Sequence, residues 1–301
     1  MIRFVFVILH YQNIDDTINC IDSIKRLRGL NNENYKIVLV DNKSPNNTGI
    51  ELQNKFCNEE QIDVILLDKN YGFSKANNIA FKKAQEYNPE SILVLNNDIL
   101  FEDENFILKL DKTLKETEGY DIICPDIINL KGEHQNPLRT NEMTLKKALK
   151  NMIYETIFTI SMNIPGIRKV VFQKRTEREN AWFEKYYTES KKVDSKTFVP
   201  FGAFIIYMNN WLKNENVAFV SDTFMYMEED MLNVYIKEKE YNMLFDEELK
   251  VKHLEGQSTK KVSKNEYKIV KFRSKNRAKA LYKYIKFYKK IRRKDKKQCK
   301  I

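Results

Sequence analysis

At 301 residues, with 42% apolar and 31% charged side chains, the chain is long enough for one large core or two modest ones and too apolar for the disordered class. No apolar stretch approaches the roughly 20 residues that a membrane-spanning helix needs. The net charge of +10 is unevenly divided: from Lys260 to Ile301, 19 basic residues stand against Glu266 and Asp295, which leaves 33 basic and 40 acidic residues in Met1–Thr259.

An acidic body with a strongly basic tail points to a polyanion or an anionic membrane as the tail's partner. The apolar run Phe4–Leu9 is too short for a signal peptide, lacks a small-residue cleavage site, and reads as a first strand. Cys20, Cys57, Cys124 and Cys299 are scattered, with neither metal-ligand spacing nor a disulfide framework. Reduced thiols in the cytoplasm are the expectation.

In chain order, residues 2–9 predict a buried strand, followed by a helix that Asp15 or Asp16 caps and that carries Ile18, Ile21, Ile24 and Leu27 on one face. Residues 36–40 predict a second strand that ends in Asp41-Asn42-Lys43-Ser44, with a helix over about 47–58 and a third strand at 64–67. Asn70-Tyr71-Gly72-Phe73-Ser74 reads as a turn and cap before a helix with Ala76, Ile79, Ala80, Phe81 and Ala84. The fourth strand, Ile92–Leu95, runs into Asn96-Asn97-Asp98; a helix near 104–117 and a strand at 121–125 follow. Strands alternating with helices through short connections predict an α/β fold with a parallel sheet covered on both faces.

Open α/β sheets bind ligands at the carboxyl ends of their strands, where His10-Tyr11, Asp41 and Asp98 would converge. No Gly-x-Gly-x-x-Gly or Gly-Lys-Ser/Thr motif is present, which disfavours a dinucleotide dehydrogenase and a P-loop NTPase. The residues instead suit a nucleotide whose base and ribose meet Tyr11 and Asp41 and whose diphosphate is bridged by Mg²⁺ or Mn²⁺ to Asp98. Taken alone, Asn96-Asn97-Asp98 reads first as a turn leaving a strand, because Asn and Asp dominate turns.

The alternation fails from Lys131 to Lys196, apart from a helical patch over Leu145–Met162, and strand character returns over 198–208 with the small pair Gly202-Ala203. Glu228-Glu229-Asp230 opens a helix that includes Leu232, Tyr235 and Ile236. These acids either complement the helix dipole or supply a carboxylate general base, adjacent acids raising each other's pKa. Leu249–His253 reads as an edge strand ending in His253, which is either structural or a cation ligand. Over 264–297, Leu281, Tyr284, Ile285, Tyr288 and Ile291 line one helical face opposite Lys and Arg. That pattern suits an interfacial helix on anionic lipid, with packing on the body and nucleic acid binding as the alternatives.

Together these motifs resemble the GT-A glycosyltransferases of family 2, in the bacterial branch that includes rhamnosyl- and galactosyl-type capsule and cell-wall enzymes. The resemblance spans about residues 2–259 and lies in six ordered segments: Ile8–Asn13, Val40–Ser44, Asn70–Phe73 with Asn77-Asn78, Leu95–Asp98, Gly202-Ala203, and Tyr226–Glu229 followed by His253 with Ser258. It implies a GT-A fold, Rossmann-like with a mostly parallel central sheet, over 1–259, in which 131–198 is an acceptor-side insertion, plus a basic helical tail at 260–301. It places His10, Tyr11, Asp41, Asn70, Gly72, Phe73, Asn77 and Asn97 around the donor nucleotide, and Gly202 and Ala203 at the sugar and acceptor pocket. The divalent cation falls to Asp98, His253 and Asn96, although Asn96 stands where many members have Asp. Counting back from Tyr241 puts Glu229 at the catalytic base position, with Glu228 and Asp230 as alternatives; Ala80 and Glu240 stand where Gly is common.

The implied activity is inverting transfer of a sugar from a UDP- or dTDP-type donor to a hydroxyl of a glycan or lipid-linked acceptor in bacterial surface polysaccharide synthesis. The expected location is the inner face of the plasma membrane. The alternative is a non-catalytic protein that binds nucleotides or polyanions through its tail.

Overall fold

A computed structural model describes residues 1–116, 119–188, 198–255 and 266–298. Its frame is an eight-stranded mixed sheet in the order β3-β2-β1-β4-β7-β6-β8-β5. Strands β1 (Phe4–His10), β2 (Tyr35–Asp41) and β4 (Ser91–Asn96) are continuous apolar runs buried on both faces, the pattern that covered parallel strands require. They pair in parallel in a register that sets His10 opposite Asp41 and Leu9 opposite Asn96, with β3 (Ile62–Leu66) parallel beyond β2. Three polar strand ends therefore share one edge of the sheet.

Strand β7 (Phe204–Met208) is shorter than the expected 198–208 and runs antiparallel to β4, from Leu95 opposite Phe204 to Ser91 opposite Met208. An antiparallel strand enters the sheet where its parallel neighbours leave it, so Gly202-Ala203 sits beside the end of β4, and Asn96 N–H donates to Ala203 O at 2.9 Å. The expected edge strand at 249–253 is the end of the longer β8 (Met243–His253), which lies inside the sheet between β6 (Ile122–Asn129) and β5 (Ile99–Leu100). The two-residue β5 directly follows Asp98 and pairs Ile99 with His253, which brings the ends of β4 and β8 together.

Helices α1 (Ile14–Lys25) and α4 (Phe106–Glu116) cover one face of the sheet. Helices α2 (Thr48–Lys55) and α3 (Phe73–Gln85) follow β2 and β3 in the alternation. α1 begins with Asn13 as its cap, and Asp15 and Asp16 fall in the first turn instead of capping it. The segment with no readable fold contains two helices, α5 (Leu145–Ser161) and α6 (Pro165–Thr188). After β7 come α7 (Asn209–Asn214), α8 (Glu228–Glu238) and, at the carboxyl end, α9 (Glu266–Gln298). Packing of α3, α7 and α8 covers the second face.

The apolar stripe of the basic tail is used inside the molecule. Ala280, Leu281 and Tyr284 of α9 are buried against Met143 and Ala148 and against Met227, Met231 and Val234, with Ile285, Tyr288 and Ile291 packed at the margin. This corrects the interfacial-helix expectation for 264–297: the face meant for lipid is occupied by protein, and the basic face remains. Ser258, Cys299 and the junction at 259–260 lie outside the described residues.

A buried ion pair ties this helical layer together. Both guanidinium NH₂ groups of Arg175 on α6 donate to the two Glu155 oxygens on α5 at 3.0 Å, and Ser274 Oγ of α9 donates to Glu155 O at 3.1 Å. Arg175→Ala leaves Glu155 charged and desolvated, and is expected to lower the unfolding free energy by about 3–5 kcal/mol. Urea unfolding measures this, and Glu155→Leu combined with Arg175→Leu recovers most of the loss.

Candidate active site

At the ends of β1 and β2 the side chains are held in place by each other. Asp41 is buried and accepts from Ser44 N–H at 3.1 and 3.2 Å and from Ser44 Oγ at 2.5 Å. A Cβ at Gly49, in the first turn of α2, would overlap that carboxylate, so glycine there is what lets Asp41 lie against the helix start. His10 is fully buried, with Nδ1 on Thr17 Oγ1 at 2.7 Å and Nε2 on Thr48 Oγ1 at 2.9 Å. Burial lowers its pKa to about 4 in spite of Asp41, so it is neutral across ordinary pH. Both ring nitrogens are occupied, and His10 positions its neighbours where the sequence suggested an open donor contact. Asn97 Nδ2 donates to Thr17 Oγ1 at 2.8 Å and to Asn13 O, which joins the β4 end to the start of α1. Tyr11 stays partly exposed at the same edge.

The loop before α3 is fixed by asparagines. Asn42 Nδ2 donates to Asn70 Oδ1 at 3.1 Å and to Gly72 O, while Asn42 Oδ1 accepts from Tyr71 N–H at 2.8 Å. Gly72 has φ +82°, and a Cβ there would overlap Phe224 O, the same oxygen that accepts from Phe73 N–H at 2.8 Å. This contact brings the Asn-Tyr-Gly-Phe loop to the segment that leads into the acidic cluster. Asn77 is buried with Nδ2 on Phe73 O and Oδ1 without a hydrogen-bond partner. Asn78 clamps 218–219, its Oδ1 accepting from Ala218 and Phe219 N–H at 2.9 Å.

At the other end of this edge, Asp98 Oδ1 lies 3.2 Å from His253 Nε2, and both residues are buried. Gln135 Nε2 donates to Glu255 Oε1 at 2.8 Å, which turns Gln135 Oε1 toward His253 Nδ1 at 2.7 Å. Nδ1 is therefore assigned as the donor to Gln135, and Nε2 faces the carboxylate. This pair is bridged either by a proton or by a cation, and a carboxylate with an imidazole held by a second hydrogen bond suits Mn²⁺ or a similar ion. Among the described residues no group of three or more His, Cys, Asp and Glu side chains is placed to hold a metal, so a cation here would take its remaining ligands from diphosphate oxygens and water. Asn96 is half-buried at the end of β4.

The acids 228–230 occupy the first turn of α8, and each has a different environment. Tyr226 and Met227 lead into it with φ of +72° and +67°, a left-handed pair that is costly for bulky residues. Glu228 is 7% exposed, its Oε2 has no partner, and burial with Glu229 alongside raises its pKa well above the usual range. Asp230 is buried in an ion pair with Arg139. Glu229 is only partly buried, accepts from Gly202 N–H, and would stand 3.0 Å from a Cβ at Gly202. Desolvation outweighs the backbone donors and the charge of Arg139, and pushes its pKa up to about 7.

Segment 201–203 joins the two ends of the site. Gly202 touches Glu229, Ala203 pairs with Asn96, and the Phe201 ring packs edge-on to His253 with centroids 5.8 Å apart. Gln135 and Arg139, at the start of the unreadable insertion, were missed as site residues. Nothing in the local sequence marks either one, because each acts only through tertiary contact.

Residues 5–176 match the family described as "Glycosyl transferase family 2", more than half of the chain. The chain belongs to glycosyl transferase family 2. Among relatives of this family 2 chain, a low-salt glycan biosynthesis hexosyltransferase, Agl10 of Haloferax volcanii, is 31% identical over 144 residues, 48% of this chain and 42% of that protein. The dTDP-rhamnosyl transferase RfbF of Shigella flexneri is 30% identical over 151 residues, 48% of either chain. The matched region is thus about half the length of each relative. The mannosyltransferase PcManGT of Pyrobaculum calidifontis, solved with GDP-Man and Mn²⁺, superposes with a TM-score of 0.53 at 12% identity over 94% of this chain and 62% of that one. At that identity the likeness establishes the fold, which is the GT-A arrangement.

Because the folded Glu229 holds its proton up to about pH 7, whereas an ordinary glutamate releases it near 4.5, the native state loses stability as pH rises through that interval. Glu229→Gln removes this cost. Its melting temperature is expected to exceed wild type by roughly 2–6 °C at pH 8, with the difference vanishing near pH 4.5. Calorimetry at the two pH values measures it.

Proposed function

We propose that this family 2 chain is an inverting glycosyltransferase that moves a sugar from a nucleoside diphosphate, of UDP or dTDP type, to a hydroxyl of a glycan or lipid-linked acceptor in bacterial surface polysaccharide synthesis. The observation that carries the reading is the separation of the three acids. Glu228 is sealed in and Asp230 is paired with Arg139, which leaves Glu229 partly open with a pKa near 7. A general base works best when its pKa lies near the working pH.

In this reading Tyr11 and the Asp41 turn receive the nucleoside, and the Asn70–Phe73 loop lines the donor with Asn77 behind it. Gly202 and Ala203 leave room for the sugar and the incoming hydroxyl. Glu229 Oε takes the acceptor proton as the acceptor oxygen attacks the anomeric carbon from the side opposite the diphosphate, which inverts that centre. Asp98 and His253 would hold the divalent cation, with Asn96 next to them, and the cation would supply Lewis-acid stabilisation of the departing diphosphate. Gln135 holds the His253 ring in the tautomer that this requires.

The names of the relatives support donor and product class: one is a glycan biosynthesis hexosyltransferase, another a dTDP-rhamnosyl transferase. The mannosyltransferase bound to Mn²⁺ supports the cation. A peripheral position at the inner membrane face belongs to the same proposal; among the described residues no helix is long and apolar enough to cross a membrane.

The test is donor turnover, read as nucleotide released from a panel of UDP- and dTDP-sugars with Mn²⁺ or Mg²⁺. Glu229→Gln and Asp98→Asn are each expected to lower it by about 10²–10⁴-fold with folding intact, and EDTA to abolish it reversibly. Full turnover in Glu229→Gln overturns the base assignment.

A further inference from the structure

Helix α5 carries two apolar faces, and only one has a partner within the described residues. Ala148, Met152, Glu155, Phe158 and Met162 face inward, toward α9 and the ion pair. Leu149, Ile153, Ile157 and Ile160 recur at helical spacing on the opposite side, where a surface helix normally places charge. They are 48–61% exposed.

The stripe does not end with the helix. Glu155 and Arg175 are 20 positions apart, about 30 Å along one straight helix, yet they form a two-pronged ion pair, so α6 folds back on α5 as a hairpin. Its turn is Met162–Ile164, and Pro165 opens α6. Ile157, Ile160, Ile164, Ile167 and Val170 therefore gather at the hairpin tip, each at least 44% exposed. The exposed charged residues of the described hairpin, Lys146 to Arg178, are seven basic side chains against one acid, Glu177. Arg168 stacks over Tyr267 at 5.0 Å, and Lys271 of α9 donates to Asn163 at the turn, so the basic rim is anchored in place.

We infer that this hairpin tip is the surface by which the protein docks on an anionic lipid bilayer, with the isoleucines entering the interface and the Arg168–Lys174 rim meeting headgroup charge. The inference gives a location to the peripheral membrane contact proposed above and does not depend on the transfer chemistry. A contiguous aliphatic patch needs a cover, and soluble surfaces seldom leave one open. A second copy meeting tip to tip would set the two basic rims against each other, whereas anionic headgroups complement them. Because α5 and α9 share a core with Met227 and Met231, the docked hairpin would hold the Glu229 helix at a fixed orientation to the membrane.

The test is co-sedimentation of the full chain with phosphatidylcholine vesicles made with and without phosphatidylglycerol. Wild type is expected to bind only the anionic vesicles. Ile160→Glu with Ile164→Glu is expected to weaken binding by about 10-fold or more, with melting temperature and nucleotide release unchanged. Lys289→Glu with Lys290→Glu, on the exposed side of α9, is expected to weaken it far less. Wild-type-like binding by the isoleucine variant, with binding lost in the lysine variant, overturns the tip and leaves the membrane contact standing. A wild type that ignores anionic vesicles, or that is a dimer dissociated by the isoleucine variant, overturns both.

Discussion

The contact between the Glu229 carboxylate and the Gly202 backbone sets the character of the site. A carboxylate at a helix N-terminus, with N–H donors in reach and an arginine nearby, would ordinarily be held in its charged form. Here the removal of water is the larger effect, and the proton is retained to about pH 7. The approach is close enough that even a methyl group at position 202 would crowd the carboxylate. Asp230 adds to this, since its charge raises the value while it holds Arg139 in an ion pair, and Glu228 stands next to it in the helix, buried with Oε2 unpartnered. The left-handed pair Tyr226-Met227 is the local cost of starting the helix at that point.

The sheet explains how such distant segments meet. Parallel β1, β2 and β4 deliver three polar ends to one edge, and antiparallel β7 begins where they stop. The short β5 turns the chain just after Asp98 and pairs with the end of β8, which places His253 on that aspartate. The site is thus a consequence of strand direction: with β7 parallel, Gly202 would sit at the far side of the sheet and Glu229 would have no backbone to lie against.

Much of this was legible in the sequence where the signal is local. The strands expected at 2–9, 36–40 and 92–95 announce themselves as apolar runs and are found at 4–10, 35–41 and 91–96, and the acids at 228–230 announce a helix start. Strand direction is not local, and so the reversal of β7 and the interior position of β8 could not be read. His10 was recognisable as part of a motif, but its partners Thr17 and Thr48 are 7 and 38 residues away and decide that it is buried and neutral. Gln135 and Arg139 lie in a segment without periodicity and matter only through His253 and Asp230. The amphipathic stripe of α9 was plain, but its partner was not: the pattern that fits a bilayer also fits α5 and α8, and burial of Tyr284 chose between them. The hairpin tip reverses that lesson, since its isoleucines look like core residues in sequence and stand exposed.

The claim that most else depends on is that burial tunes Glu229 to act as a base near neutrality. The direct measurement is a ¹³C NMR titration of the glutamate side-chain carboxylates, with the Glu229 signal assigned from Glu229→Gln. A midpoint near pH 7, moving upward when Arg139 is replaced by Gln, is the expected result, because the arginine's charge lowers the value. A midpoint at the ordinary glutamate value near 4.5 would contradict it.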